Sequence, residues 1–565
     1  MLKFKDYEYK RPDIEGYKKE VKERLEAFKA ANTVKEQIEI MTALNKSENN
    51  IQTMEELCYI RNTIDTTDEF YDKELEFMDE MMPEVEGVKT EYYKTIIASK
   101  FKDELIEKFG ELLFKKAENQ IQTFDDIILE DLKVENKLAT EYRKLIAGAA
   151  IEFDGKTLNL SQLGPYKESK DRDVRKKANE ASFGFLNDNL EALDRIYDNL
   201  VEVRTTMAKK MGYESFTELG YKRMERLDYD QHMVETFRNQ VRDFIVPICS
   251  ELRTRQEKRL DMKGMKYFDL NFRFKSGNPD PKGDPEWIVT KADKMYKELS
   301  TETDEFFKFM REKELLDLVT KKGKAGGGYC TYIPNYESPF IFSNFNGTLG
   351  DVTVLTHEVG HAFQVYSSRD AIVPEYSWPT SEAAEIHSMG MEFLTWPWMD
   401  EFFLEDGDKF RYVHLEEGLQ FIPYGVSVDE FQHYVYNNPT ATPVERRAKW
   451  REIEKTYLPH LDYDGFDYLE MGGFWQKQAH IYETPFYYID YTLAQMCAFQ
   501  YLVKSLENRE DAWKSYVTLC KAGGKKSFLG LLELAGLESP FEVGSVEKIT
   551  TVIKKWLDNV DDTKF

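Results

Sequence analysis

The sequence predicts a mainly α-helical protein with a small β element. Three observations predict it. Apolar residues recur at spacings of three and four along most of the chain. Glycine and proline number only 31 and 18 in 565 residues and fall mostly between those stretches. Strand-like alternation and β-branched or aromatic enrichment are confined to two short segments.

The chain is long enough for several domains or one large one, and a core of that size needs no staples. Lys and Arg total 77 against 103 Asp and Glu, a formal net charge of −26. Such a surface repels phosphate backbones, so nucleic acid is not an expected partner. Most of the acidic surplus reads as solvation of helix faces. Aromatics at 14% argue against disorder. Five well-separated cysteines (Cys58, Cys249, Cys330, Cys497 and Cys520), with no C-x-x-C, suit reduced thiols and an expected cytoplasmic location. The first twenty residues have no apolar core of the signal-peptide kind. No run of 18 apolar residues exists, so no membrane partner is expected.

Ile14, Tyr17, Val21, Leu25 and Phe28 form one helical stripe, with Asp13 as its N-cap and Pro12 just before it. Charged helices follow through Lys144, without a fixed-period repeat. Ile151–Leu160 differs: Asp154-Gly155 between alternating apolar positions predicts a hairpin. It divides residues 1–150, an N-terminal helical region, from residues 151–565. Helices resume from about Asp171 to Leu260. Lys275–Pro285 is a turn-rich loop, and a helix is expected over Pro285–Val319. Lys321–Gly328, KKGKAGGG, lacks the G-x-x-x-x-G-K-[ST] spacing of a phosphate loop. Tyr329–Asn346 reads as two short strands, the second Phe340–Phe345. A strand just before the next helix can run along a cleft and hold an extended peptide on a free edge, or be an ordinary hairpin.

Asp351–Ser367, DVTVLTHEVGHAFQVYS, is the stretch around which the rest is organised. Val352, Leu355, Val359, Ala362, Phe363 and Tyr366 predict an amphipathic helix. His357 and His361 stand four apart, on one face, about 6 Å from each other at the backbone. Two neutral imidazoles so placed can share one Zn²⁺, and Glu358 occupies the general-base position of a zinc hydrolase. The bland alternative is two surface histidines a turn apart. With 8 histidines in the chain, multiplying residue frequencies puts a chance H-E-x-x-H at roughly one such chain in a hundred.

A third protein ligand is expected. Thr380–Thr395 predicts an acidic helix, N-capped by Thr380 or Ser381, carrying Glu382, Glu385 and Glu392. Spacing does not choose among the three. His387 points about 200° away from Glu385. Downstream, Glu470–Gln495 places Gly472-Gly473, read as a mobile loop, before a crowd of His480, Tyr482, Tyr487, Tyr488 and Tyr491. A zinc peptidase needs donors aimed at the developing oxyanion; each tyrosine reads equally as a core residue.

Gly327–Thr331 (GGYCT), Phe342–Thr348 (FSNFNGT), Thr356–Phe363 (THEVGHAF) and Glu385–Phe393 (EIHSMGMEF) resemble the thimet oligopeptidase and oligoendopeptidase F family of zinc peptidases. The nearest look-alikes are bacterial oligoendopeptidase F and Pz-peptidase type enzymes. The resemblance covers roughly the last 400 residues and reaches Gly523–Leu537. It implies a two-lobed helical zincin-type peptidase with a deep channel and a small β element beside the active site. It implies Glu385 as third ligand to one Zn²⁺ per chain, with His357 and His361. It also implies that a His and one or two Tyr donate to the oxyanion: by position His480, Tyr488 and Tyr491, with Tyr482 and Tyr487 left as packing residues. The expected activity is endopeptidase cleavage of short peptides, with Glu358 as base. The alternatives are a zinc carboxypeptidase, which would need a basic pocket for the terminal carboxylate, and a catalytically inactive peptide-binding protein. Co²⁺ or Mn²⁺ could also work in such a site.

Overall fold

The computed structural model describes residues 2–565. The chain opens with α1 (Ile14–Ala30), α2 (Val34–Ile64), α3 (Glu69–Ile97), α4 (Lys102–Phe109), α5 (Glu111–Ile121) and α6 (Leu129–Ala147). Asp13 caps α1 by accepting from the Gly16 N–H, and Thr33 with Glu36 forms a capping box on α2. Each satisfies N–H groups that the first turn cannot. The stripe from Ile14 to Phe28 is buried as expected. It packs with Met41, Tyr92, Tyr93 and Phe114 into a separate core that recruits Val373 and Tyr376 from far along the chain. The Tyr376 hydroxyl accepts from the Leu113 N–H and donates to the Phe109 carbonyl, at 2.9 and 2.8 Å.

β1 (Ile151–Phe153) and β2 (Lys156–Leu158) form the antiparallel hairpin. Asp154 and Gly155, at φ 52° and 70°, make the turn. Next come α7 (Gly164–Lys167), α8 (Arg172–Asp188), α9 (Leu190–Lys210), α10 (Phe216–Arg223), α11 (Gln231–Gln240) and α12 (Val246–Leu260).

The helix expected over Pro285–Val319 is two helices and a strand: α13 (Pro285–Leu299), α14 (Thr301–Glu312) and β3 (Leu316–Val319). Ser300 accepts from the Thr303 N–H and starts α14, and Glu314 at φ 56° turns the chain out of it. Four residues, LDLV, are too few for periodicity to choose between helix and strand; the partner chooses. That partner is β5 (Ser338–Phe345), which pairs in parallel with β3 and antiparallel with β4 (Tyr329–Ile333), giving the order β3-β5-β4. The strand directly before the H-E-x-x-H helix is therefore central, β3 and β4 are the edges, and β4 is the edge that lines the cavity beside that helix. The buried Lys324 ammonium donates to the Asp317 and Val319 carbonyls at 3.2 and 3.1 Å. Lys321–Gly328 is thus a strap across the sheet.

The remaining helices are α15 (Gly350–Ser367), α16 (Ser381–Leu394), α17 (Met399–Phe403), α18 (Gly407–Asn437), α19 (Pro443–Tyr457), α20 (Asp467–Glu470), α21 (Ala479–Glu483), α22 (Tyr488–Glu507), α23 (Arg509–Ala522), α24 (Phe528–Ala535) and α25 (Ser545–Asp558). α16 is sandwiched between α15 and α22, and α18 backs α22. This mass has its own, larger core. Between the two helical masses lies a cavity of about 520 Å³, lined by Glu48, Glu55, Glu86 and Lys89 on one side and by Arg223, Trp378 and Pro379 on the other. Trp378 and Pro379 also line the smaller cavity beneath β4, so the two spaces share a wall.

Candidate active site

α15 is anchored at its start by Asp351, whose two carboxylate oxygens accept from the Asn346 and Gly347 N–H groups, each at 2.9 Å. The His357 and His361 rings stand with centroids 5.0 Å apart. Gly360 lies between them. A Cβ there would come within 2.5 Å of the His387 carbonyl oxygen and 2.6 Å of the Ser388 Cα. Glycine thus lets α16 lie directly on α15. That approach brings Glu385 Oε2 to 3.1 Å from His357 Nε2 and 3.4 Å from His361 Nε2. One ligand atom from each of the three residues lies within 4.8 Å of the others.

Two imidazoles and a carboxylate converging on one point fit the donor set of a zinc site. The electrostatics favour a cation there. Burial lowers the His357 pKa, but the Glu385 and Glu392 carboxylates outweigh it and hold it well above the usual imidazole range.

The other acidic candidates take different places. Glu392 Oε1 lies 2.7 Å from His357 Nδ1, and Glu392 Oε2 lies 2.7 Å from His414 Nε2. The Trp396 indole donates to His414 Nδ1 at 2.8 Å. That donor makes His414 protonated on Nε2, which then donates to Glu392. Glu392 in turn accepts from His357 Nδ1–H, so Nε2 is the His357 atom that faces Glu385. Glu382 is buried near Asp490 and Arg226; burial and the Asp490 charge push its pKa well up. His387 is also buried, with Nδ1 2.7 Å from the Ala383 carbonyl.

Glu358 is buried beside the two histidines, and burial raises its carboxyl above the usual range. It lines a cavity of about 300 Å³ together with Gly328–Thr331 of the edge strand, Trp378, Tyr487 and Tyr491.

On the opposite wall, His480, Tyr487, Tyr488 and Tyr491 cluster with ring centroids 5.0–5.5 Å from one another along the ring contacts. They do not stand equally. The Tyr424 hydroxyl donates to Gln478 Oε1 at 3.0 Å. The Gln478 amide therefore turns its N–H to His480 Nδ1 at 2.8 Å. His480 then carries its proton on Nε2 and donates to the Tyr491 oxygen at 3.1 Å. Tyr491 lines the cavity beside Tyr487. Burial pushes His480 down to about 4, so this imidazole is neutral near pH 7. Tyr488 packs between His480 and Tyr491 on one side and Phe421 and Tyr424 on the other, and it is not among the residues lining this cavity.

Tyr487, expected to be a packing residue, donates its hydroxyl to Glu385 Oε1 at 2.5 Å. Tyr482 is buried among aromatic rings, as expected. The expected loop at Gly472-Gly473 is tightly packed: a Cβ on Gly472 would lie 2.0 Å from the Arg447 carbonyl oxygen. Sequence reasoning missed His414, Trp396 and the Tyr487 contact. The scarcity of histidine was the one signal pointing to His414.

Fold and site together are those of the metal-dependent peptidase class. The chain belongs to peptidase family M3: the model of that family matches residues 165–550, and the M3 N-terminal domain matches residues 4–124. Curated relatives include an oligoendopeptidase F homolog of Borreliella burgdorferi, 23% identical over 286 residues, and oligopeptidase PepF of Bacillus subtilis, 24% identical over 286 residues. These alignments span 48% of this chain and 46% and 40% of the relatives. Among solved structures, Pz peptidase A with an inhibitor is 55% identical with a TM-score of 0.99, covering 99% of this chain and all of that one. A candidate oligoendopeptidase F from Bacillus anthracis str. Ames is 54% identical with a TM-score of 0.95, both chains being fully covered. No helix is long and apolar enough to cross a membrane.

Proposed function

We propose that this chain is a zinc endopeptidase of short oligopeptides. The observation that carries the reading is the convergence of His357, His361 and Glu385 in one cavity with Glu358 beside them and the Tyr491 hydroxyl across from them. His357 Nε2, His361 Nε2 and Glu385 would hold one Zn²⁺, which when bound polarises the scissile carbonyl and acidifies a water.

The chain's own groups do the rest. The free edge of β4 offers main-chain N–H and C=O groups to an extended peptide. Glu358 takes a proton from the attacking water and passes it to the leaving amine nitrogen; its raised pKa suits both transfers. Tyr491, held by His480, donates to the carbonyl oxygen as charge grows there. Glu392, Tyr487 and Ser388 hold the ligands in place, Ser388 by donating to Glu385 Oε2 at 2.9 Å. The shared wall of the two cavities supports short extended peptides as substrates.

The test combines metal analysis with a peptide-length series. About one zinc per chain and internal cleavage of peptides of roughly 5–15 residues, each spanning up to ~3.3–3.6 Å per residue, are expected. Glu358→Gln should keep the metal and lose about 10²–10⁴-fold in kcat. Near-full activity in that variant, or a chain that takes no metal, would overturn the reading.

A further inference from the structure

Beyond Tyr491 the wall continues as half-buried rings. Tyr488 lies 5.4 Å from Tyr491 and Tyr424 lies 5.7 Å from Tyr488, centroid to centroid. The ribbon ends at Lys477, whose Nζ stands 3.8 Å from the Phe474 centroid and 5.3 Å from that of Tyr424. Lys167, the last residue of α7, is near enough for its charge to act on Lys477. The Lys167 ammonium donates to Ser182 Oγ at 2.8 Å, and the next residue, Phe183, packs on Phe474 at 5.8 Å.

Among the described residues, no carboxylate oxygen lies within 4.0 Å of either ammonium, although the chain carries a net charge of −26. The nearby acids are engaged elsewhere. Glu454 holds Arg451, Tyr463 and Trp450, and Glu168 accepts from Asn278 at 2.6 Å. Lys477 is exposed and Lys167 half-buried; the protein around them lowers both ammonium pKa values, and for Lys477 the Lys167 charge adds to it. Two ammonium groups whose charges act on each other, with no carboxylate oxygen within 4.0 Å of either, can be offset by an anion bound between them.

We propose that Lys167 and Lys477 bind the C-terminal carboxylate of the oligopeptide substrate, several residues beyond the bond that is cut. The proposal rests on the peptidase reading and adds the polarity of the bound chain. A peptide pairing antiparallel with β4 leads its C-terminal end past Tyr329. α7 lies on that side: Gly164 abuts Asn346 at the end of β5, and Asn344 Nδ2 donates to the Gly327 carbonyl at the start of β4. The ring-to-ring path from Tyr491 to Lys477 is at most about 16 Å, or about five extended residues. The piece released toward the lysines is therefore a short peptide, and trimming of single C-terminal residues is not what this placement serves.

The test measures binding in the Glu358→Gln protein, so it does not depend on turnover. One fluorescent peptide is compared as free acid, as C-terminal amide, and as amide with Glu in the last position. The free acid should bind about 10–100-fold more tightly than either amide, the usual worth of one or two charge-assisted hydrogen bonds. Adding Lys167→Gln and Lys477→Gln should shrink that gap to less than about twofold, and Lys→Arg at both positions should restore it. A melting curve for each variant separates loss of the site from loss of the fold. The proposal is overturned if acid and amide bind alike, if the gap survives in the double variant, if the Glu amide matches the free acid, or if the free acid does not bind. Failure of the peptidase reading shows separately, as absence of cleavage of the same peptide by the unmodified chain.

Discussion

The Tyr487 hydroxyl donates at 2.5 Å to Glu385 Oε1, the oxygen that the two histidines do not share. This contact fixes the rotation of the carboxylate, so that Oε2 stays aimed between His357 and His361. Tyr487→Phe removes the donor and keeps the ring. Metal affinity should fall by about 10–100-fold, the usual cost of losing a group that orients a ligand. Competition with a chelator of known affinity measures it. Unchanged affinity would return Tyr487 to a packing role.

Gly360→Ala should be far more damaging than its size suggests. The added methyl would meet backbone atoms of α16 at 2.5 and 2.6 Å, and a backbone has no rotamer to yield. α16 must move away from α15, taking Glu385 with it. We expect loss of metal together with destabilisation of about 1–3 kcal/mol, the range for overpacking. Metal analysis and a thermal melt read the two effects. A zinc-replete, normally stable variant would disprove the close-approach argument.

Glu385 and Glu392 should separate cleanly. Glu385→Ala should strip the metal. Glu392→Gln should keep it with affinity reduced about 10–100-fold, because Gln carries no charge and offers one acceptor oxygen where His357 and His414 both donate. His414→Ala acts one step further out and should cost less than Glu392→Gln. If Glu382→Ala, and not Glu385→Ala, empties the site, the ligand assignment is wrong.

Tyr491→Phe should lower kcat by roughly 10²–10³-fold with little change in KM, as expected for a donor that acts mainly in the transition state. Metal content should hold. Tyr488→Phe should cost much less in kcat, because Tyr491 and not Tyr488 lines the cavity with Glu358 and the two histidines. Equal losses in kcat would contradict this division of roles.

His433 gives a pH signature of stability. It is buried, its Nε2 is 3.1 Å from the Tyr221 hydroxyl, and burial pushes its pKa down to about 4. The unfolded chain therefore binds this proton first. The folded state has its full stability above about pH 6.5, the unfolded value, and loses it as pH falls toward 4. The loss from this one group amounts to roughly 3 kcal/mol. His433→Gln lacks that loss, so the melting-temperature gap between unmodified chain and variant should shift in favour of the variant over this interval. Parallel melting curves would exclude the depressed pKa.

Much of the fold was legible because it is written in short-range pattern. The stripe from Ile14 to Phe28, the Asp154-Gly155 turn and the i, i+4 histidines of α15 each depend on neighbours within a few residues. The segment Leu316–Val319 failed that test, since only its pairing with β5 makes it a strand. Gly472-Gly473 misled for a related reason. Two adjacent glycines signal freedom in an isolated chain, whereas here they allow Arg447 and Tyr468 to close in.

By itself the sequence determined the helical class, the two imidazoles on one helix face with Glu358 between them, and the family motifs around them. Those properties follow from helix periodicity and residue chemistry, which act locally. Spacing left Glu382, Glu385 and Glu392 open and the family motif pointed to Glu385; the tertiary structure shows why it is Glu385 that meets the histidines, since all three share one helix and differ only in what packs against it. It also turned Tyr487 from a packing residue into a partner of Glu385, put His480 behind Tyr491, and brought Lys477 within reach of the Lys167 charge across some 310 residues of chain. Such pairings are set by the close approach of distant backbones, as at Gly360 and His387, and no local spacing encodes them.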